Sequence, residues 1–442
     1  MRPEEVTPVV LKACKEAGAT DAVVVVSEEE EAQIRFSNNE VTVNNSIREM
    51  SAYVFVYVQD RKAGTNIIDV SKRTLVTTAK KVVEAAKRTP GGGLYAPLPR
   101  GPFLYDRQLE SSEPVTQDPK ELVSMVHLAL EAAKREGAER CAGSLISRNV
   151  KLTLHTSADA YGTMHRGGLE LSMRAFCNAN ASGHGVSVAN RDREFRPAEA
   201  GSEAGRMAKM AQGPKDGVPG VMDAIFGPMV MADIAQQVGR MASAFHVDSG
   251  MSFLQGKLGV QVAANDVSLY DDAANPQGYG VVPFDQEGCP TQRKAIIEDG
   301  VLMTYLHNTA TAAKDGVGTT ANAGLVAPVP FSLELRPGSH TMEALISKVD
   351  KGIFVTNDWY LRYHNFRAGD LSFIPRDAMF LIENGSIAGP LKELRVSDNI
   401  LRMLRSTEAL GQQRRWIKWW EVETPVLAPA ALVRQVNFTR SQ

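Results

Sequence analysis

Paired histidines on one helix are a common way to hold a catalytic metal. An HExxH-type motif places two imidazoles around the metal, and the glutamate between them acts as general base. The chain has eight histidines, but none is followed by Glu and none has a second His three to five residues away. His246 and Asp248 could put two donors on one face of a strand, or be ordinary loop or surface residues. The motif search therefore predicts no metal ligand, no cofactor and no catalytic residue.

Other catalytic signatures are also missing. The stretch Gly250–Leu258 has one residue too many between its glycines for a phosphate-binding loop, and Lys257 is not followed by Ser or Thr. No G-x-S-x-G elbow occurs, and no G-x-G-x-x-G follows a strand. The four cysteines form no CxxC pair, so we expect reduced thiols rather than a zinc site or disulfides.

Two acidic turns and a tryptophan-rich segment contain the remaining polar candidates. The turns Phe284–Gly288 and Ile382–Gly385 both end in glycine, as turns do. They either serve as turns only or shape a groove or a subunit contact. In the segment Arg414–Trp420, basic residues alternate with aromatic ones. Such a pattern can stack on bases or form a protein interface, and a net charge of −2 favours the core or an interface.

The first half of the chain predicts helices around an antiparallel meander. Val6, Val9, Val10 and Cys14 recur at helical spacing, and strands follow from Asp21 to Gln59. The acidic block Glu28–Glu31 is interpreted as a strand end or turn. Ser71 and Asp118 are predicted N-caps of helices that end near Arg88 and Gly137. Strands from Ser144 to Val188 and a small-residue helix from Ala198 to Ala211 complete this half.

The second half predicts a β-rich domain. Proline and glycine cluster between Gly213 and Gly220, which indicates a domain boundary. A strand at Val221, a helix at about 232–245 and another near Met342–Val349 are expected among short strands and turns. The predicted fold class is α/β (α+β) with two domains, a mixed N-terminal domain over 1–215 and a β-rich C-terminal domain over 216–442.

Composition and hydropathy limit location and partners. Charged residues make up 23% of the chain and hydrophobic residues 43%, which is ordinary for a globular protein. No run approaches the ~18 apolar residues that a membrane span needs, and the N-terminus has no secretory signal. We therefore expect a cytoplasmic protein that binds neither membranes nor, given its charge, nucleic acid.

In the second half, the order of motifs resembles the TldD/PmbA family, once called modulators of DNA gyrase. Ser252–Gly259 is followed by Asp271-Asp272, by Phe284–Gly288 and by Gly300–Leu306. Thr309–Ala312, Arg367–Asp370 and Phe380–Gly385 come next. No single motif is decisive, but their order and spacing are specific. Motif matching supplies a candidate groove or subunit contact, formed by Phe284, Asp285, Glu287, Gly288, Asn308, Thr309, Gly369, Asp370, Glu383 and Asn384.

The resemblance implies a branch of the family and a function. In the TldD-like branch an HExxxH helix and a C-terminal cysteine hold the metal, whereas the PmbA-like branch, also called TldE, lacks them. The corresponding helix here, Ala232–Phe245, contains no His or Glu, and no cysteine follows Cys289. The chain thus resembles the PmbA branch. This implies a non-catalytic subunit that pairs with a TldD-like zinc metallopeptidase around an internal chamber for unfolded peptides.

Three alternatives remain open. The chain could form a homodimer that binds peptides or a protein without cleaving them. It could be a peptidase with an unorthodox metal site that uses His184, His246 or Asp248. It could also bind nucleic acid or gyrase, through Arg414, Arg415 and Lys418.

Overall fold

The N-terminal half of the computed structural model, which describes residues 1–440, is an antiparallel sheet with helices on one face. The strand order is β3-β2-β1-β4-β5-β6. Its strands are β1 (Asp21–Ser37), β2 (Glu40–Val58), β3 (Arg61–Ile67), β4 (Arg140–Thr156), β5 (Tyr161–Asn178) and β6 (Ala181–Ala189). Its helices are α1 (Pro3–Glu16), α2 (Lys72–Arg88), α3 (Arg107–Glu110), α4 (Pro119–Arg135) and α5 (Pro197–Met210), with a 3-10 turn at Asp192–Glu194.

The alternation of apolar and polar side chains along β1 explains why only one face of the sheet carries helices. Val24 and Val26 are buried against α1 and α2, and Ile34 is buried against α4 and α5. Successive side chains point to opposite faces, so Glu29, Glu31 and the other odd positions of β1 project from the helix-free face. This inner face is directed at the second half of the chain. There Val23 and Leu154 pack against Phe284.

The helix caps follow the sequence prediction. Ser71 accepts a hydrogen bond from the Thr74 N–H at the start of α2, and Asp118 accepts one from the Lys120 N–H at the start of α4. The acidic block Glu28–Glu31 is not a strand end. It continues β1 in the middle of a 17-residue strand, where Arg148 pairs with Glu29 and Glu31.

The C-terminal half forms a mixed sheet of fourteen strands. Its central path is β11-β10-β9-β12-β20-β8-β13-β16-β17-β7, and β14, β15, β18 and β19 join it at the side. These strands are β7 (Lys215–Asp216), β8 (Gly220–Phe226), β9 (Leu269–Asp272), β10 (Arg293–Glu298), β11 (Val301–Leu302), β12 (Leu333–Leu335), β13 (Lys351–Val355), β14 (Trp359–Asn365), β15 (Asp370–Ile374), β16 (Met379–Glu383), β17 (Ser386–Lys392), β18 (Leu394–Asn399), β19 (Thr407–Trp419) and β20 (Val422–Arg440).

Short helices pack on this sheet. They are α6 (Pro228–Met241), α7 (Ala244–Asp248), α8 (Thr309–Asp315), α9 (Met342–Ser347) and α10 (Ile400–Arg405). No helix within residues 1–440 is long and apolar enough to cross a membrane. Helices and strands in mixed sheets confirm the α/β fold class.

The helix expected at 232–245 was misplaced. It begins at Pro228, in the first turn where proline is favoured, and ends at Met241. Ser243 then donates a hydrogen bond to the carbonyl oxygen of Pro328 at 2.7 Å, and a separate helix, α7, begins at Ala244. The chain therefore turns where the sequence was interpreted as continuous helix.

Candidate functional site

Helix α6 carries the segment that corresponds to the metal-binding helix of the resembled family. All but two of its fourteen residues are buried. Asp233, 1% exposed, accepts hydrogen bonds at Oδ1 from Gln236 Nε2 at 3.2 Å and Gln237 Nε2 at 2.9 Å. Gln236 in turn accepts the backbone N–H of Thr424 at 2.8 Å. The polar side chains of α6 are thus bonded to one another and to the β19–β20 hairpin.

A second buried carboxyl, Asp358, lies against Asp233. Neither Oδ of Asp358 has a hydrogen-bond donor among the described residues, nor has Oδ2 of Asp233. Burial, followed by the charge of Asp233, raises the pKa of Asp358 well above its usual range. Burial also raises the pKa of Asp233. Burial and the neighbouring carboxyl group therefore both favour the protonated form of Asp358.

The residues considered for an unorthodox metal site are dispersed. His246 and Asp248 belong to helix α7 rather than to a strand, so that part of the prediction was wrong. Asp248 forms an ion pair with Lys314. His184 is on β6, in the other half of the chain. Within residues 1–440, no three His, Cys, Asp or Glu side chains are grouped so that they could hold a metal ion.

Six of the sequence-predicted groove residues come together in one buried cluster. Asp285 accepts backbone N–H bonds from Glu287, Cys289 and Ala323, at 2.9 to 3.0 Å. Burial, followed by the charge of Glu287, raises the pKa of Asp285 to about 7 although these three bonds lower it. Glu287 Oε2 accepts the N–H of Thr309 at 2.9 Å.

The other members of this cluster complete the link between the two halves. The ring of Phe284 lies 4.9 Å from that of Tyr105, and the Tyr105 hydroxyl donates to the carbonyl of Gly288 at 2.8 Å. Asn308 caps helix α8 by accepting the N–H of Thr311. The cluster therefore joins the β-rich half to the N-terminal half, and its two carboxylates are occupied by backbone donors.

The other four predicted residues lie apart from this cluster. Asp370 starts β15 and accepts a hydrogen bond from Asn399 Nδ2 at 2.8 Å, and Gly369 precedes it with φ +83°. Glu383 ends β16, and Asn384 adopts φ +51° in the turn to β17. Asn384 donates its N–H to the carbonyl oxygen of Asp350 at 2.7 Å, so hydrogen bonds within the β-rich half hold both turns.

The tryptophan-rich segment lies in strand β19 and its turn. Trp419 is buried in the core, whereas Trp420 is 78% exposed. Arg415 pairs with Glu203, and Lys418 with Glu170 at 2.9 Å. Arg415 and Lys418, two of the three cations that the sequence offers for nucleic-acid binding, are thus neutralised by carboxylates of the N-terminal half.

A polar network between the two halves was missed by the sequence analysis. His184 is 2% exposed, and its Nε2 lies 2.9 Å from Ser172 Oγ on β5. Its Nδ1 lies 3.2 Å from Nδ2 of Asn357, which precedes β14. Burial lowers the pKa of His184 to about 4. No local motif could reveal this network, because its members are 12 and 173 positions apart.

Comparison with known proteins identifies the family. The model of the PmbA/TldA metallopeptidase C-terminal domain matches residues 219–440, half of the chain. The chain belongs to the PmbA/TldD family. The match includes the β19–β20 hairpin and all ten residues that motif matching proposed. The resemblance inferred from motif order is thereby confirmed.

Individual members of the PmbA/TldD family agree with this assignment. A Methanothermobacter thermautotrophicus protein named a metalloprotease is 26% identical over 342 residues, which cover 71% of this chain and 72% of the relative. A Thermotoga maritima structure described as a modulator of DNA gyrase is 25% identical with a TM-score of 0.83, covering 99% of this chain and 100% of that one. TldE from Thermococcus kodakarensis has the same fold, with a TM-score of 0.85 at 16% identity over 98% of this chain and 100% of that one.

Proposed function

We propose that this chain is the non-catalytic, PmbA/TldE-like subunit of a TldD-type zinc metallopeptidase complex that degrades unfolded or unstructured peptides in the cytoplasm. The observation that carries the proposal is the chemistry of α6. In the family, this helix would supply two histidines and a glutamate. Here it presents Asp233, Gln236 and Gln237, whose side chains bond one another inside the protein.

This arrangement favours a supporting role for α6. A catalytic zinc needs an open coordination position that substrate or water can reach. Asp233 is instead 1% exposed, and the amide of Gln236 ties the helix to the carbonyl oxygen of Glu421 at 2.8 Å. Helix α6 therefore stabilises the β19–β20 hairpin.

The N-terminal sheet offers a surface for an extended peptide. Strand β2 pairs with β1 from Glu40 to Tyr57, but its pairing with β3 begins only at Ala52. The outer edge of Glu40–Ser51 therefore has no neighbouring strand among the described residues. An extended chain can add to such an edge through backbone hydrogen bonds with little sequence preference, which suits unfolded substrates.

The decisive experiment measures metal content and hydrolysis of an unstructured protein by the purified chain, with and without a TldD-like subunit from the same source. We expect no activity from this chain alone and activity in the mixture. A mixture containing a TldD-like subunit with its HExxxH glutamate changed to Gln serves as control and should be inactive. Stoichiometric metal with chelator-sensitive cleavage by this chain alone would overturn the proposal. A stable homodimer that ignores the TldD-like subunit would favour a peptide-binding homodimer.

A further inference from the structure

A cavity of about 500 Å³ crosses the inner face of the N-terminal sheet, at the end where β1 turns into β2. Five of the N-terminal strands contribute polar lining residues, and Trp359 from β14 forms part of its wall. Arg35, Ser144, Ser172, Arg174 and His184 supply potential donors. No Asp or Glu lines this cavity in the part of the chain that the structure describes. By contrast, the cavity beside Arg166 and Lys418 includes Glu170 and Glu423.

Three of these donors are neighbours across adjacent strands. Arg35 on β1 is opposite Ser144 on β4, and Ser144 is opposite Ser172 on β5. Directly opposed residues in an antiparallel pair share one face, with Cβ atoms about 5 Å apart. A guanidinium and two hydroxyls therefore lie in a row roughly 10 Å long, since strands are spaced by about 4.8 Å.

The orientation of Asn357 determines the tautomer of His184. The side-chain oxygen of Asn357 accepts the N–H of Asp377 at 3.1 Å, and its Nδ2 donates to Asp377 Oδ2 at 2.9 Å. The amide is thus fixed with Nδ2 directed at Nδ1 of His184. A neutral imidazole that accepts at Nδ1 carries its proton on Nε2, so His184 donates to Ser172 Oγ.

This tautomer decides what Ser172 can do. A serine that accepts a hydrogen bond from histidine cannot be deprotonated by that histidine. The hydrogen bond of this pair therefore runs opposite to that of a Ser–His nucleophile. The Ser172 hydroxyl must donate its own hydrogen elsewhere, and no acceptor for it is found within residues 1–440. Its remaining direction is the cavity, which makes Ser172 a donor for a ligand.

Of the two arginines that line the cavity, one is paired with a carboxylate and the other is free to bind a ligand. Arg174 is paired with the buried Asp377 through Nε at 2.8 Å, so its charge is matched. Arg35 is exposed and has no carboxylate within 4.0 Å among the described residues. The cavity thus has one unmatched positive charge and two adjacent hydroxyl donors. This is the complement of a carboxylate, for which a guanidinium offers bidentate bonds.

We propose that this cavity binds the C-terminal carboxylate of an extended peptide, held by Arg35 with Ser144 and Ser172. The inference rests on the proposed function, because it assigns one end of the unfolded peptide to this face. Thr42 and Val43 of β2 also line the cavity, so the free edge of β2 lies beside it. A peptide added along that edge can turn its terminus into the cavity. An acidic side chain also presents a carboxylate, and the titration distinguishes it from a peptide C-terminus.

The test titrates the full-length chain with an unstructured peptide that lacks Asp and Glu, as the free acid and as the C-terminal amide, by calorimetry. We expect the acid to bind roughly tenfold more tightly than the amide, a factor typical of one lost charge-assisted contact. The Arg35→Gln variant should bind both forms with the affinity of the amide. Ser172→Ala should weaken only the acid. Arg140→Gln, an exposed arginine of the same sheet that lies outside both the cavity and the free edge of β2, should change nothing.

Three results would overturn the assignment. One is equal affinity for acid and amide. Another is an amidated peptide with an internal Asp that binds as tightly as the acid, which would assign the cavity to side chains. A third is equal weakening by Arg140→Gln. The thermal unfolding temperature of Arg35→Gln should equal that of the wild type, which controls for folding. Because the titration uses this chain alone, it can fail while hydrolysis by the mixture succeeds, and the reverse.

Discussion

Arg174 and Asp377 form an ion pair between the N-terminal sheet and the loop after β15, with Nε and Nη2 of Arg174 at 2.8 and 2.5 Å from Asp377 Oδ1. Asp377 is fully buried as a side chain, and it also accepts hydrogen bonds from Ser182 at 2.6 Å and from the Trp359 indole at 3.1 Å. Burial alone would raise its pKa, but the charge of Arg174 and the hydrogen bonds from Arg174 and Ser182 lower the pKa below the usual value. The carboxylate therefore remains ionised and links the two halves.

Removing the cation of this pair should destabilise the protein. Arg174→Met leaves Asp377 buried without its counter-charge, which typically costs about 3–5 kcal/mol. The urea midpoint of unfolding measures the loss. Arg48→Met removes an exposed pair with Glu30 and should cost less than about 1 kcal/mol. Equal effects of the two substitutions would contradict a structural role for the buried pair.

His184 should make stability depend on pH. Its folded pKa of about 4 lies below the unfolded value of 6.5, so the unfolded chain binds the proton first as pH falls. The stabilisation from the neutral imidazole is fully present above pH 6.5 and lost as pH falls towards 4. Between pH 7 and 5 the loss amounts to about 2 kcal/mol.

The measurement compares urea unfolding of the wild type and of His184→Gln at pH 7 and pH 5. Gln does not titrate, so the variant should lose less stability than the wild type over this interval. Taking the difference between the two proteins removes the contributions of other groups, such as Asp285. The idea fails if both proteins lose the same amount.

The Asp233–Asp358 pair should respond to pH in the opposite direction. Its folded pKa values are raised, so its contribution is complete below the unfolded pKa of about 4 and is lost as pH rises through the folded values. Asp358→Asn keeps a donor to Asp233 at every pH. The variant should therefore gain stability relative to the wild type as pH increases from 5 to 9, measured by thermal unfolding. Asp216→Asn, at an exposed position, should show no such trend.

Close packing of β6 on α5 should make Gly183 intolerant of a side chain. A Cβ there would lie 2.2 Å from the carbonyl oxygen of Ala204 and 2.6 Å from the Ala208 nitrogen. Both are backbone atoms that cannot move aside, so Gly183→Ala should cost at least ~1–3 kcal/mol. Gly389→Ala is the matched control, because no atom lies within 4 Å of its Cβ position. Similar unfolding temperatures for the two variants would refute this packing argument.

Elements with local signals were predicted well. The caps Ser71 and Asp118 act within one turn of their helices, so residues adjacent in sequence suffice to identify them. The prediction for the block Glu28–Glu31 was wrong because its partners, among them Arg148, lie on another strand. The end of α6 was also misjudged, since the bond that accompanies it joins Ser243 to Pro328, 85 positions away.

The sequence by itself determined the family, the fold class and the absence of an HExxxH motif from the segment that became α6. These depend on residue types, their order along the chain and spacings of a few positions. Only the tertiary structure revealed the carboxyl pair Asp233–Asp358, the tautomer of His184 and the donor-lined cavity. Each depends on side chains from different strands or helices, and the burial and hydrogen bonds that set their protonation arise only when the chain has folded.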